Sequence, residues 1–213
     1  MQFVFPKVYP ILDSSIIPAV GRTDFLRRLG ESLSDAGMTM MEYRNKTGSE
    51  AEIMSDAAIL RQAMPVERVK LILDDRADLV DAAKFDGVHV DTGDLSPAQA
   101  RRLLGPDRII GTFAGGDSLL RGILGTPVDY FAIGPIFETR TKHTVSRPIG
   151  IDGVRRLREQ AGSEAVLSAA AGITLETAQA VLQAGATMIA VAAGIFRTPD
   201  PAATFRRWIL QIG

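Results

Sequence analysis

Short hydrophobic runs recur at 3–11, 38–43, 69–73, 86–90, 108–112, 128–133, 165–169 and 187–192, separated by stretches of helical period. Strand-like runs alternating with helical patterns favour βα units and a parallel sheet. Several helix starts are marked. Ser49-Glu50-Ala51-Glu52 and Ser96-Pro97-Ala98-Gln99 both fit the capping box, the second with proline at the first helical position. Thr174 suits the cap of a helix running to Ala184, with Gly185 as its left-handed end. Leu26, Leu29 and Leu33 share one helical face, as do Phe205, Trp208 and Ile209, and both stripes read as packing against the sheet. Asp35-Ala36-Gly37, Asp86-Gly87 and Ala184-Gly185-Ala186 each precede a strand, a weak echo of αβ turns in which glycine supplies positive φ. Eight strands and eight helices in strict alternation predict one α/β domain over residues 1–213, a single (β/α)8 TIM barrel. A doubly wound sheet is the alternative, but no GxGxxG follows the first run, where Pro10-Ile11-Leu12-Asp13-Ser14 stands.

The polar chemistry follows the runs. Residues 69–73 lead into Asp74-Asp75-Arg76, residues 86–90 into Asp91-Thr92-Gly93-Asp94, and residues 128–133 into Gly134-Pro135 and then Thr139-Arg140-Thr141-Lys142. In a parallel barrel all carboxyl ends of strands open on one face, so these groups converge on one site. The segment from Phe137 to Gly150 is long for a βα loop, and loops of that length are usually functional or mobile.

Composition narrows the chemistry. With 213 residues, 46% hydrophobic, the chain has material for one substantial core. A formal charge of −1 gives no reason to expect a nucleic-acid partner. The absence of cysteine excludes disulfides, thiolate metal sites and cysteine nucleophiles. Two histidines, His89 and His143, argue against a multi-histidine metal cage. Met1 to Pro10 lacks the pattern of a secretory signal, and no run approaches the roughly 18 apolar residues of a membrane-spanning helix. A cytoplasmic protein with no membrane partner is the expectation.

Asp75 and Asp94 end adjacent strands, and two carboxylates without a histidine partner suit a hard cation such as magnesium (Mg2+) held together with substrate phosphate. The bland alternative pairs Asp75 with Arg76 on the surface and leaves Asp94 as a residue before a helix. Arg44 and Lys46 fall on the same side of an extended segment as Glu42. An arginine fork plus a lysine point charge suits a pyrophosphate, although solvated loop charges would look the same. Thr139, Arg140, Thr141 and Lys142 offer hydroxyls and cations from the long loop. Gly172 after the seventh strand, and Ala192 and Ala193 after the eighth, let backbone N–H groups approach a phosphate, or simply make tight turns. His89 lies within a strand, where a barrel-interior histidine is the commoner reading.

In order along the chain, Asp75-Arg76-Ala77-Asp78-Leu79, Asp86-Gly87-Val88-His89, Asp94-Leu95, Gly134-Pro135-Ile136-Phe137-Glu138-Thr139, Thr141-Lys142 and Ala171-Gly172-Ile173 resemble thiamine phosphate synthase and its relative, the thiazole tautomerase. The resemblance runs from Tyr9 to Ile195. It implies an α/β barrel that joins hydroxymethylpyrimidine pyrophosphate to thiazole phosphate and releases pyrophosphate. It implies ionisation at the pyrimidine methylene, with the thiazole nitrogen capturing the cation. Asp75 and Asp94 would hold magnesium, and Arg44, Lys46 and Lys142 would be the catalytic cations on the pyrophosphate. The substrate-binding set would comprise Glu42, Tyr43, Arg44, Asn45, Lys46, Asp74, Phe113, Thr139, Arg140, Thr141, Lys142, Gly172, Ala192 and Ala193. The implied partners are small phosphorylated molecules, with homo-oligomerisation open.

The chain departs from the family pattern at the neutral positions. Glu42 replaces a glutamine, Asp74 an asparagine, Asp91 a glycine and Thr92 a glutamine. Phe113 stands for a serine expected at the pyrimidine, Ala171 for a glycine and Ala193 for a serine. Two of these exchanges bring carboxylates toward a polyanion, where like charges are unfavourable. Two further readings are an isomerase of the tautomerase type and a non-catalytic phosphate- or thiazole-binding protein. Ala114-Gly115 stand where the tautomerase histidine is expected, which counts against the first.

Overall fold

The computed structural model describes residues 3–91, 93–139 and 147–213. Eight parallel strands close on themselves in chain order: β1 (Val8–Asp13), β2 (Met40–Arg44), β3 (Lys70–Asp74), β4 (Gly87–Val90), β5 (Ile109–Gly115), β6 (Tyr130–Ile133), β7 (Leu167–Ala170) and β8 (Met188–Val191). The ring is sealed by β1 against β8, with Val8 opposite Ile189. Around it lie α1 (Arg22–Asp35), α2 (Glu50–Ala63), α3 (Pro97–Leu104), α4 (Asp117–Ile123), α5 (Gly150–Ala161), α6 (Leu175–Gln183), α7 (Ala193–Phe196) and α8 (Pro201–Ile212). The expected (β/α)8 barrel is the fold.

Strict alternation fails at two places. Only residues 75–86 join β3 to β4, and they form a single 3₁₀ turn, Ala77–Leu79, rather than an α-helix. A parallel crossover needs about a dozen residues at least, so a segment this short has no length for a full helix. After β8 the chain makes two helices, the short α7 and then α8.

Side-chain alternation along each strand sorts the core into two layers. Outward residues such as Leu12, Leu71, Leu73, Val88 and Ile189 pack with Leu26, Leu29 and Leu33 of α1 and with Phe205 and Trp208 of α8. Both helical stripes are therefore core. Inward residues Tyr9, Met40, Ile72, Ile109, Tyr130 and Met188 form a separate plug inside the barrel.

The plug explains why the first strand starts at Val8 and not at residue 3. Phe3 and Phe5 pack onto it, Phe5 meeting the Tyr130 ring edge-on at 5.9 Å, and so stop the amino-terminal mouth. Gly37 and Gly185 do take positive φ before their strands, but Gly87 does not. A Cβ on Gly87 would sit 2.0 Å from the Ile109 carbonyl oxygen, so close approach of β4 to β5 requires the glycine.

The capping box of α3 is complete, whereas that of α2 is half made. Ser49 Oγ accepts from the Glu52 N–H, but the Glu52 carboxylate turns to Arg22 and Asn45. No described helix is long and apolar enough to cross a membrane.

Candidate active site at the carboxyl ends of the strands

A cavity of about 530 Å³ opens at the carboxyl ends of the strands. Its two halves differ in chemistry. Over β1–β4 the inward positions are Tyr9, Asp13, Glu42, Arg44, Asp74, His89 and Asp91. Over β6–β8 they are small apart from Tyr130: Ala132, Gly134, Ser168, Ala170, Ala190 and Ala192. Phe113 of β5 stands between the halves.

In the acidic half the cations are held by carboxylates. Arg44 donates to Asp13, and its Nε lies 3.6 Å from Asp74 Oδ2. Lys46 Nζ lies 2.9 Å from Asp74 Oδ2 and 2.5 Å from Asp75 Oδ2. Burial disfavours the charge on Lys46, but Asp74 and Asp75 outweigh it and raise its pKa. Burial likewise works against the Asp13 carboxylate, yet hydrogen bonds from Ser15 and Arg44 hold it below the usual range. Asp74 behaves oppositely. Burial, and then the nearby Glu42 charge, push it up to about 7.

Asp75 takes the left-handed backbone region, at φ +65°, which aspartate tolerates better than most side chains. Its Oδ1 is buried without a hydrogen-bond partner among the described residues. That side chain interacts with the Asp94 carboxyl. Burial and this contact raise Asp94, while Asp75, despite burial, is held low by Asp94 and Lys46. Two facing carboxylates have no donor between them unless one keeps a proton or a cation intervenes. The pair therefore fits a hard cation. Among the described residues no three acidic, histidine or cysteine side chains gather to hold a metal alone, but magnesium ordinarily needs only one or two carboxylates plus phosphate oxygens. The surface pairing of Asp75 with Arg76 is not formed, since Arg76 bonds Asp78 and Glu50.

Beneath these groups runs a buried polar chain. The Tyr9 hydroxyl donates to Glu42 Oε2 at 2.9 Å, the Tyr9 and Tyr130 hydroxyls are 2.9 Å apart, and Tyr130 meets His89 Nδ1 at 3.1 Å. Burial drives Glu42 up to about 7, against the pull of Tyr9, Arg44 and Lys46. Burial also lowers the His89 pKa, and the ring stacks on Tyr130. His89 is thus a barrel-interior residue.

The small half is built from turns. Ala171 and Gly172 both adopt left-handed backbone, at φ +73° and +71°. At Gly172 a Cβ would lie 2.6 Å from the Glu138 carbonyl oxygen, so no side chain fits. The turn leads to Thr174, which caps α6, while Ala192 and Ala193 begin α7. The first N–H groups of a helix have no intrahelical acceptor, and here they border the cavity together with Thr139.

Tyr43, Asn45 and Lys46, and the expected metal ligands Asp75 and Asp94, are not among the residues that line the cavity, although Lys46 touches its wall through Asp74. Tyr43 points outward and is fully buried, its hydroxyl donating to Asp56, because β2 alternation turns it away from Glu42 and Arg44. Asn45 braces the loop before α2, donating to Glu52 Oε1 at 2.8 Å and accepting from the Gly48 N–H. Neither arginine that flanks the acidic substitutions pairs with Glu42: Arg44 bonds Asp13, and Arg76 bonds Glu50 and Asp78. Arg140, Thr141 and Lys142 lie outside the described residues. Asp13, Tyr9, Tyr130, Ser168 and Arg197 also line the cavity, although no motif marks them in the sequence. The period of two on β1, β6 and β7 was the available signal for the first four; Arg197, beyond α7, had none.

Fold and cavity together define a (β/α)8 barrel with its cavity at the strand carboxyl ends. The sequence profile of the thiamine monophosphate synthase family matches residues 8–195, and the chain belongs to that family. A thiamine-phosphate synthase of Koribacter versatilis is 40% identical over 194 residues, covering 91% of this chain and 90% of the relative. The thiamine-phosphate synthase of Chloroflexus aurantiacus is 34% identical over 201 residues, covering 94% and 90%. Among solved structures, thiamine phosphate pyrophosphorylase from Pyrococcus furiosus superimposes with a TM-score of 0.80 at 25% identity, covering 97% of this chain and 96% of that one.

Proposed function

We propose that the protein is a thiamine phosphate synthase, a transferase that joins hydroxymethylpyrimidine diphosphate to thiazole phosphate and releases pyrophosphate. The observation that carries this beyond family membership is the division of the cavity. One half has Asp13, Arg44 and Asp74 on its wall, with Lys46 bonded to Asp74 and Asp75 beside it and Asp94 against Asp75. The other offers small turns at Gly172 and Ala192–Ala193 that suit a single phosphate.

On this reading the diphosphate lies over β2–β4. Arg44 and Lys46 exchange their contacts with Asp13, Asp74 and Asp75 for phosphate oxygens. Asp75 and Asp94 would hold magnesium, which neutralises charge on the diphosphate leaving group when bound. The bond between the pyrimidine methylene and the diphosphate oxygen breaks, and its electron pair leaves with the diphosphate. The thiazole nitrogen then supplies the pair for the new carbon–nitrogen bond. No side chain need transfer a proton, so the protein acts through charge stabilisation and positioning. Thr139 would contact the thiazole phosphate, and Phe113 would form a wall for a ring. By the family match, Arg140, Thr141 and Lys142 would complete the anion site. Both substrates are charged and do not cross membranes unaided, which supports a cytoplasmic location.

Calorimetric titration of the protein with pyrophosphate, with and without magnesium, tests this reading. Magnesium-dependent binding is expected. Phosphate or pyrophosphate binding indifferent to magnesium would favour a tautomerase-type or non-catalytic relative.

A further inference from the structure

Ser168 of β7 is buried at 1% exposure and lines the cavity. Its hydroxyl has no hydrogen-bond partner among the described residues. Buried hydroxyls are normally paired, so this one has a bonding capacity that the protein itself does not use. The strand ladder sets Ser168 beside Ala132 of β6 and Met188 of β8, neither of which offers a useful donor or acceptor. Ala132, Ala170 and Ala190 surround it with short side chains and leave a recess open to the cavity.

The recess lies below the Ala171–Gly172 turn, about 10 Å back along an extended strand. That is the reach of a phosphate ester with a short alkyl arm and one five-membered ring. The acidic groups belong to the opposite half of the cavity, so a neutral hydroxyl among alanines selects an uncharged polar atom on an otherwise apolar ring.

We propose that Ser168 is a specificity-determining residue whose hydroxyl contacts the ring sulfur of the monophosphate substrate seated under the β7–α6 turn, leaving the lone pair of the ring nitrogen free. This rests on the functional reading above, in which that substrate is thiazole phosphate. The Ala132–Ala170–Ala190 wall admits the ring, and Ser168 fixes its rotation so that the ring nitrogen faces the pyrimidine methylene.

Titration of the full chain with thiazole phosphate, and separately with inorganic phosphate, tests the assignment in wild type, Ser168→Ala and Ser168→Val. Ser168→Ala should weaken thiazole phosphate binding by about 2- to 5-fold, the loss of one weak contact to a ring sulfur. It should leave inorganic phosphate binding unchanged, because phosphate alone does not reach the recess. Its melting temperature should be equal or higher, since no protein contact is lost. Ser168→Val, which fills the recess, should weaken thiazole phosphate binding further. Unchanged thiazole phosphate affinity in Ser168→Ala would overturn the proposal, as would an equal loss for inorganic phosphate. Wild-type protein that binds thiazole phosphate yet forms no thiamine phosphate would sink the synthase reading alone, and the Ser168→Ala comparison would still decide this one. Wild-type protein that does not bind thiazole phosphate would overturn both.

Discussion

Replacing Glu42 by glutamine removes a charge from a buried acidic position inside the barrel while keeping an acceptor for the Tyr9 hydroxyl, 2.9 Å away. Burial raises the Glu42 carboxyl from 4.5 to about 7. Below pH 4.5 the folded and unfolded chains both hold the proton, and this group has no effect on the pH dependence. Between pH 4.5 and 7 the unfolded chain releases it while the folded chain retains it, so stability falls as pH rises. Above pH 7 the loss is complete. The difference of 7 − 4.5 is about 2.5 units, and at about 1.4 kcal/mol per unit it amounts to about 3 kcal/mol. Glu42→Gln escapes this loss. Its stability relative to wild type should therefore grow from near zero at pH 4.5 to about 3 kcal/mol at pH 8. Urea denaturation across that range measures it. Parallel stability profiles for the two proteins would mean that Glu42 is ionised in the folded state throughout, and the account of a dry, proton-holding barrel floor would be wrong.

Asp74→Asn, alone or with Glu42→Gln, should take one carboxylate charge from beside Arg44 and Lys46, which keep Asp13 and Asp75, and tighten pyrophosphate binding by about 1–3 kcal/mol, the scale of one charge-assisted contact. The gain should be larger at pH 8.5 than at pH 6, because wild-type Asp74 keeps its proton up to about 7 and opposes the ligand only above that. Weaker binding by calorimetry would show that Asp74 supports the ligand. Asp75→Asn and Asp94→Asn should each abolish the magnesium dependence of pyrophosphate binding without changing the melting curve, asparagine being tolerated at the left-handed Asp75 position. Magnesium dependence that survives either change would remove that residue from the cation site. Ala171→Gly should stabilise the protein by about 0.5–1 kcal/mol in thermal or chemical denaturation, the relief of a left-handed alanine less the extra chain entropy of glycine. A loss of stability there would show that the turn carries no strain.

The barrel was legible in the sequence because each strand needs only a short apolar run and each crossover only a helical period, and both are local patterns. Where length overrode pattern, the expectation failed: the β3–β4 connection has no room for an α-helix, and residues 3–7 plug the mouth of the barrel instead of joining the sheet. At the site, the gathering of Arg44, Lys46, Asp74, Asp75 and Asp94 at the carboxyl ends of β2–β4 followed from their positions after hydrophobic runs. Their partners did not, since Asp13 and Arg44 are 31 residues apart in the chain and only closure of the barrel sets them together. Tyr43 and Asn45 were drawn into the site by neighbouring motif residues, although a period of two already sent Tyr43 outward. Ser168 was invisible for a different reason: an unpaired hydroxyl is a property of its surroundings and leaves no mark in its own sequence.

The most direct test of the central claim is a coupling assay with both substrate halves. The purified protein is incubated with hydroxymethylpyrimidine diphosphate, thiazole phosphate and magnesium, and thiamine phosphate and pyrophosphate are followed together. Thiamine phosphate and pyrophosphate should appear in equal amounts, and chelation of magnesium should stop both. Protein that is folded and binds both substrates, yet forms neither product, would contradict the account.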